Sequence, residues 1–186
     1  MICRKLSRAI AVVALGGAAL IAIPTSATAA KPVDEVGNLA DLCSGEGDGY
    51  TATVNLFQSS AAGGVVVAEA FIETPDGSTL QSTGFTDGDL IFDDGTIDIV
   101  ITLVDEMTQE SAGSATVSGT YTVSGTPTRV HELINEGEEI VVVVGTNTPL
   151  SVDLTLEYAE ATIPLECADA FAFDLRVIRQ PIGPPF

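Results

Sequence analysis

Along most of this chain apolar and polar residues alternate one by one, the period of an extended strand with one buried face. Thr96–Asp105 shows it most plainly. Ile97, Ile99, Ile101 and Leu103 fall on one side, Asp98, Val100, Thr102 and Val104 on the other, with no glycine or proline between them. Such a run predicts a central strand half-buried against a core. The same period predicts a strand over Tyr50–Gln58, with Tyr50, Ala52, Val54 and Leu56 on one face, and a central one over Val65–Thr74, where Val66, Ala68, Ala70 and Ile72 stand opposite Val67, Glu69, Phe71 and Glu73 and both faces start apolar. It recurs in Ser114–Gly125, with Ala115, Val117, Gly119, Tyr121 and Val123 inward, and in Leu150–Tyr158, with Leu150, Val152, Leu154, Leu156 and Tyr158 inward. A last strand is expected to place Phe171, Phe173, Leu175 and Val177 in the same core.

Turn chemistry separates these runs. In Pro75-Asp76-Gly77-Ser78 the proline presets φ and the glycine accepts a positive one. Thr79–Thr83 then returns as a short strand, and Asp93-Asp94-Gly95 turns the chain into Thr96–Asp105. Asp105–Gly113 reads as a loop. Arg129–Ile134 and Glu138–Gly145 flank Asn135-Glu136-Gly137 as a hairpin. The second arm carries β-branched residues on both faces, so it is either a central strand covered on both sides or an edge guarded by glutamates.

Hairpin-length connections and single apolar faces predict an all-β, two-sheet antiparallel β-sandwich of about nine or ten strands, immunoglobulin-like or jelly-roll-like. A closed barrel is the second choice. The chain has no tryptophan, and Cys43 and Cys167 stand too far apart for the usual immunoglobulin inter-sheet pair. The organisation expected is a leader over 1–29, a lead-in over 30–49, the sandwich over 50–179 and a proline-rich tail over 180–186. In the lead-in, Val36, Leu39 and Leu42 recur at three-residue spacing, which predicts a helical turn or two.

The leader reading rests on a basic start (Arg4, Lys5, Arg8), an apolar run over Ala9–Ile23 and the small-residue site Ala27-Thr28-Ala29, the three parts of a secretory signal peptide. The protein is therefore expected to be secreted, extracellular or in the cell envelope, with no membrane span once the leader is removed. Export changes the cysteine reading too. Cys3 leaves with the leader, and in an oxidising compartment Cys43 and Cys167 are expected to form one disulfide, with Cα atoms about 5.5–6 Å apart.

Charge narrows the partners. From Lys31 onward four basic residues (Lys31, Arg129, Arg176, Arg179) face all 26 acids, a net charge of −22. Nucleic acid and anionic lipid are poor partners for such a surface, since their binding depends on cations meeting phosphates. A protein or cell-envelope partner is the expectation. No cofactor is implied, because no HExxH, phosphate loop or cysteine cluster occurs.

Chemistry-bearing residues are few. His131 is the sole histidine and has no nucleophile or orienting acid at a fixed spacing. Asp87, Asp89, Asp93 and Asp94 form an acidic cluster whose carboxylates could converge on Ca²⁺, although the spacing fails the EF-hand pattern. No catalytic, cofactor-binding or metal residue is assigned. Two classes follow: a secreted acidic non-catalytic binding or structural envelope protein, or a secreted glycan or ester hydrolase whose site forms only in three dimensions. A calcium-assisted ligand-binding module is a variant of the first.

Overall fold

The computed structural model describes residues 31–61, 64–82, 84 and 90–182. The leader, Asp87 and Asp89 lie outside them. The described residues form eleven strands and no helix: β1 (Val33–Gly47), β2 (Tyr50–Ser59), β3 (Val65–Glu73), β4 (Thr79–Ser82), β5 (Phe92–Asp93), β6 (Thr96–Asp105), β7 (Ser111–Val123), β8 (Thr128–Asn135), β9 (Glu139–Tyr158), β10 (Ala161–Leu165) and β11 (Asp169–Pro181). Every pairing is antiparallel, as the alternation predicts.

All eleven strands belong to one hydrogen-bonded sheet, and its path closes: β9, β11, β1, β2, β3, β4, β6, β7 and back to β9. The joining strand is β9, twenty residues long. Its first half, Glu139–Pro149, lies between β8 and β11, and its second half, Leu150–Tyr158, between β7 and β10. Two strands were expected here. The chain instead runs straight through, so the walls around the core are continuous rather than separate.

Inside are Val54, Leu56, Ile72, Ile97, Ile99, Ile101, Leu103, Val117, Leu154, Leu156 and Ile163. On β6 every second residue is buried and the intervening ones are exposed, as the pattern requires. Each fully buried Leu or Ile stabilises by about 1.5–3 kcal/mol relative to exposure. One end of the core is closed by Ile91 and Phe92. Their amides donate to Gln58 Oε1 at 2.7 and 3.1 Å, and the Phe92 ring meets Tyr121 edge-on at 5.3 Å.

Several expectations are corrected. Val33–Gly47 is a strand, not a helical turn. A bulge between Ala40 and Cys43, with Leu42 at φ 49°, inserts an extra residue and breaks the alternation. The Asn55 Oδ1 acceptor at 2.9 Å from the Leu42 amide holds that bulge. Val36 and Leu39 lie ahead of the bulge on opposite faces of β1, and only the step from Leu39 to Leu42 enters it, so the three-residue spacing marks no helical face. β7 starts inside the expected loop, at Ser111, because a second bulge beside Leu103 and Val104 lets pairing continue. Val123, expected inward, is exposed. Phe171, Phe173, Leu175 and Val177 do not join the main core, because they lie on the opposite side of the sheet from it: Ala170 pairs with the core residue Ala40, whereas Phe171 pairs with Leu39 on the other face. β11 also takes in Gln180 and Pro181, the first residues of the expected tail. There Ile182 N bonds Glu138 O, so the missing proline N–H points away from β9 and costs no ladder bond.

The expected disulfide is present between Cys43 and Cys167, with Cα atoms 3.7 Å apart. They are closer than expected because they oppose each other directly. The flanking residues Ser44 and Glu166 exchange both backbone hydrogen bonds at 2.9 Å, which makes the cysteines the adjacent narrow pair of that ladder.

Candidate interaction surface

Beyond the core's end, β8, the first half of β9, β11 and the start of β1 continue as a four-stranded sheet. Directly paired residues of antiparallel strands share a side, so the register lays out both faces row by row.

One face is closed. It buries Val141, Val143 and Phe173, with Phe57 stacked on Phe173 at 5.7 Å and Phe171 edge-on to it at 6.4 Å. Gly37 makes room for that ring: a Cβ there would stand 2.5 Å from Phe173 Cζ and 1.9 Å from Gln58 O. The buried Glu35 carboxylate accepts from Ser59 Oγ at 2.7 Å. Asn147 shares a row with Phe173, and its Oδ1 is buried with no hydrogen-bond partner among the described residues.

The other face is open. Its first row across β8, β9, β11 and β1 is Arg129, Thr146, Asp174 and Val36, and its second is His131, Val144, Arg176 and Asp34. A third row is Leu133, Val142 and Ile178, and a fourth Asn135, Ile140 and Gln180. Leu133 is 70% exposed and Val36 54%. On β9 this is the side that, further along, carries Leu154 and Leu156 into the core. The open face is thus core-facing strand surface continued past the wall that covers it elsewhere.

Charge makes this face unlike the rest of the molecule. Of the four basic residues after the leader, Arg129 and Arg176 stand on it beside the sole histidine. Arg179 faces the other way, where Glu136 and Glu139 accept from it at 2.8 and 3.4 Å; the Glu136 bond is the main reason its pKa lies above the ordinary value. Arg176 Nε donates to Asp34 Oδ1 at 2.9 Å, and its Nη2 to Oδ2 at 3.4 Å. Both side chains are more than half exposed, so the pair contributes at most about 1 kcal/mol. A guanidinium has five donors, and several remain for a partner. Between these rows lies a shallow basin of about 340 Å³ lined by Asp34, Val144, Gly145, Thr146, Asp174, Leu175 and Arg176.

His131 is exposed on β8, and no serine or carboxylate is hydrogen-bonded to it among the described residues. Asp93 ends β5 and Asp94 begins the turn into β6, where Asp94 takes φ 45° and the Asp93 carbonyl accepts from Thr96 Oγ1 at 2.7 Å. Among the described residues no three His, Cys, Asp or Glu side chains are grouped to hold a metal. The open face itself was missed in the sequence. Its signal was there: Arg129, His131 and Leu133 alternate with Val130, Glu132 and Ile134, opposite an arm that is apolar on both sides. No protein-family model, curated protein or solved structure matches this chain.

Proposed function

We propose that this is an exported, acidic, non-catalytic binding module of the cell envelope or its surroundings, and that it binds a protein through the open face. The observation that carries the reading is the union, on one uncovered sheet face, of an apolar strip (Leu133, Val142, Ile178, Ile140) with Arg129, His131 and Arg176, on a chain otherwise dominated by acids. Apolar area rimmed by polar groups is the composition of recognition surfaces, and arginine is enriched there. The disulfide fits an oxidising location.

A hydrolase reading draws on Asp34 and Asp174, which line one basin. Glycoside hydrolysis needs one carboxyl kept protonated by an apolar, enclosed setting. Here the basin is shallow and Asp34 is engaged by Arg176, which favours binding over turnover. The test is a photo-reactive residue placed in producing cells at Leu133 or, as control, at the exposed Val100 of β6. Adducts with a discrete envelope or secreted protein are expected from position 133 alone. Equal labelling from both positions would remove the reading. So would hydrolysis of a glycan or ester panel that is lost in Asp174→Asn.

A further inference from the structure

The long edge of the open sheet is β8, and the ladder geometry shows which of its backbone groups face outward. Glu136 N donates to Glu139 O, Ser124 N to Pro149 O and Ile182 N to Glu138 O. Bonded and non-bonded pairs alternate along an antiparallel ladder. Hence Glu139, Val141, Val143, Gly145 and Asn147 turn their backbone toward β8, while Ile140, Val142 and Val144 turn theirs toward β11. The β8 partners Thr128, Val130, Glu132 and Ile134 are spent on β9. Arg129, His131, Leu133 and Asn135 therefore direct N–H and C=O away from it. Among the described residues no strand pairs with that edge. The same four residues carry their side chains on the open face, in its four rows.

We infer that β8 is a strand-addition site for an extended segment of a partner protein, which docks antiparallel to Thr128–Asn135 and widens the open face by one strand. This rests on the binding reading above and names its mode. Main-chain hydrogen bonds supply affinity in such docking, and alternate side chains supply specificity. The charges state the partner's chemistry. Carboxylates belong opposite Arg129 and His131, an apolar side chain opposite Leu133 and a base opposite Glu132. The hairpin acids Glu136, Glu138 and Glu139 favour a basic residue at the incoming strand's amino end. A second copy of this chain is the poorer occupant, since each copy carries 26 acids against four bases after the leader and repels the other.

The probe is the peptide Lys-Thr-Val-Val-Lys-Glu-Thr-Glu, with a scrambled peptide of the same composition beside it. Amide exchange and methyl shifts are followed by NMR on the purified chain. Binding of the ordered peptide should slow exchange at the His131 and Leu133 amides and shift the Leu133 and Val142 methyls. Leu133→Pro removes one outward donor and no β9 ladder bond, and should weaken binding about tenfold or more. Leu133→Thr keeps the donor and should cost only severalfold. The exchange readout on the wild-type chain stands even where the proline variant does not fold. Methyl shifts without slowed amide exchange overturn strand addition and leave the surface reading intact. No binding, or equal binding of the scrambled peptide, overturns strand addition, and the cross-linking experiment then judges the surface reading by itself. Slowed exchange at the same amides that depends on protein concentration without peptide also overturns it, because the occupant is then a second copy.

Discussion

At the scale of single residues, the turns carry the best-resolved electrostatics. Asp105 Oδ1 accepts from the amides of Met107 and Thr108 at 3.0 and 2.7 Å and from Thr108 Oγ1 at 3.0 Å. The Thr108 amide is the main cause that holds this carboxyl below the usual carboxylate range; at Asp76 the Thr74 hydroxyl does the same. The folded value lies below the unfolded one. The stabilisation is therefore fully present above the ordinary aspartate value of about 3.9 and is lost as pH falls through the lower folded value. On acid titration the Thr108 amide should keep its chemical shift through the ordinary range and move only below it. A midpoint at or above about pH 4 would contradict that account. Such bonds were only partly readable beforehand. Pro75-Asp76-Gly77-Ser78 announced its turn by residue type, whereas Leu42 at φ 49° did not, because a branched residue is a poor advertisement for a left-handed backbone.

At the scale of elements, alternation located strands wherever pairing was regular and failed at the bulges. β2 and β6 bury one of the two faces that period two separates, Tyr50 being half-buried, and β3 buries Ala68, Ala70 and Ile72. β1 did not announce itself, since its bulge moves Cys43 onto the side already held by Ala40. Period two also says which residues share a face but not which space that face meets, and so β11 was placed in the wrong core. The distinction is measurable. Leu156→Ala opens a cavity in the main core and should cost about 2–5 kcal/mol in denaturant unfolding. Val177→Ala, on a half-buried position outside that core, should cost clearly less, and Thr120→Ala, exposed on β7, should stay within about 0.5 kcal/mol. Equal costs for Leu156→Ala and Val177→Ala would mean that the two sets share one core after all. The candidate surface was hidden for a related reason. Arg129, Arg176 and Asp34 are scattered in sequence and meet only through the register of β8, β9, β11 and β1.

At the scale of the whole molecule, the distribution of charge outweighs its total. Three of the four basic residues after the leader lie on β8 and β11, and the fourth, Lys31, precedes β1. The strands from β2 to β7, and β10, carry no lysine or arginine at all, while β3, β5 and β6 and the turns among these strands carry acids such as Glu69, Glu73, Asp76, Asp93, Asp94, Asp98, Asp105, Glu106 and Glu160. Self-repulsion therefore concentrates on the closed part of the sheet, where no neighbouring base offsets it. Exposed charges separated by more than a Debye length are screened by salt, and that length falls from about 30 Å at 0.01 M to about 8 Å at 0.15 M. Raising sodium chloride across that interval should raise the melting midpoint by several degrees, since about 1 kcal/mol corresponds to about 2–4 °C in a chain of this size. Calcium chloride at matched ionic strength separates screening from a bound ion. The same rise with both salts is expected of diffuse repulsion. A larger rise with calcium, abolished in Asp93→Asn, would instead place a cation at the acidic turns and give Asp87, Asp89, Asp93 and Asp94 a role beyond solvation. A midpoint that fell with sodium chloride would reverse the account, because the few ion pairs of the outer sheet would then outweigh the repulsion around the core.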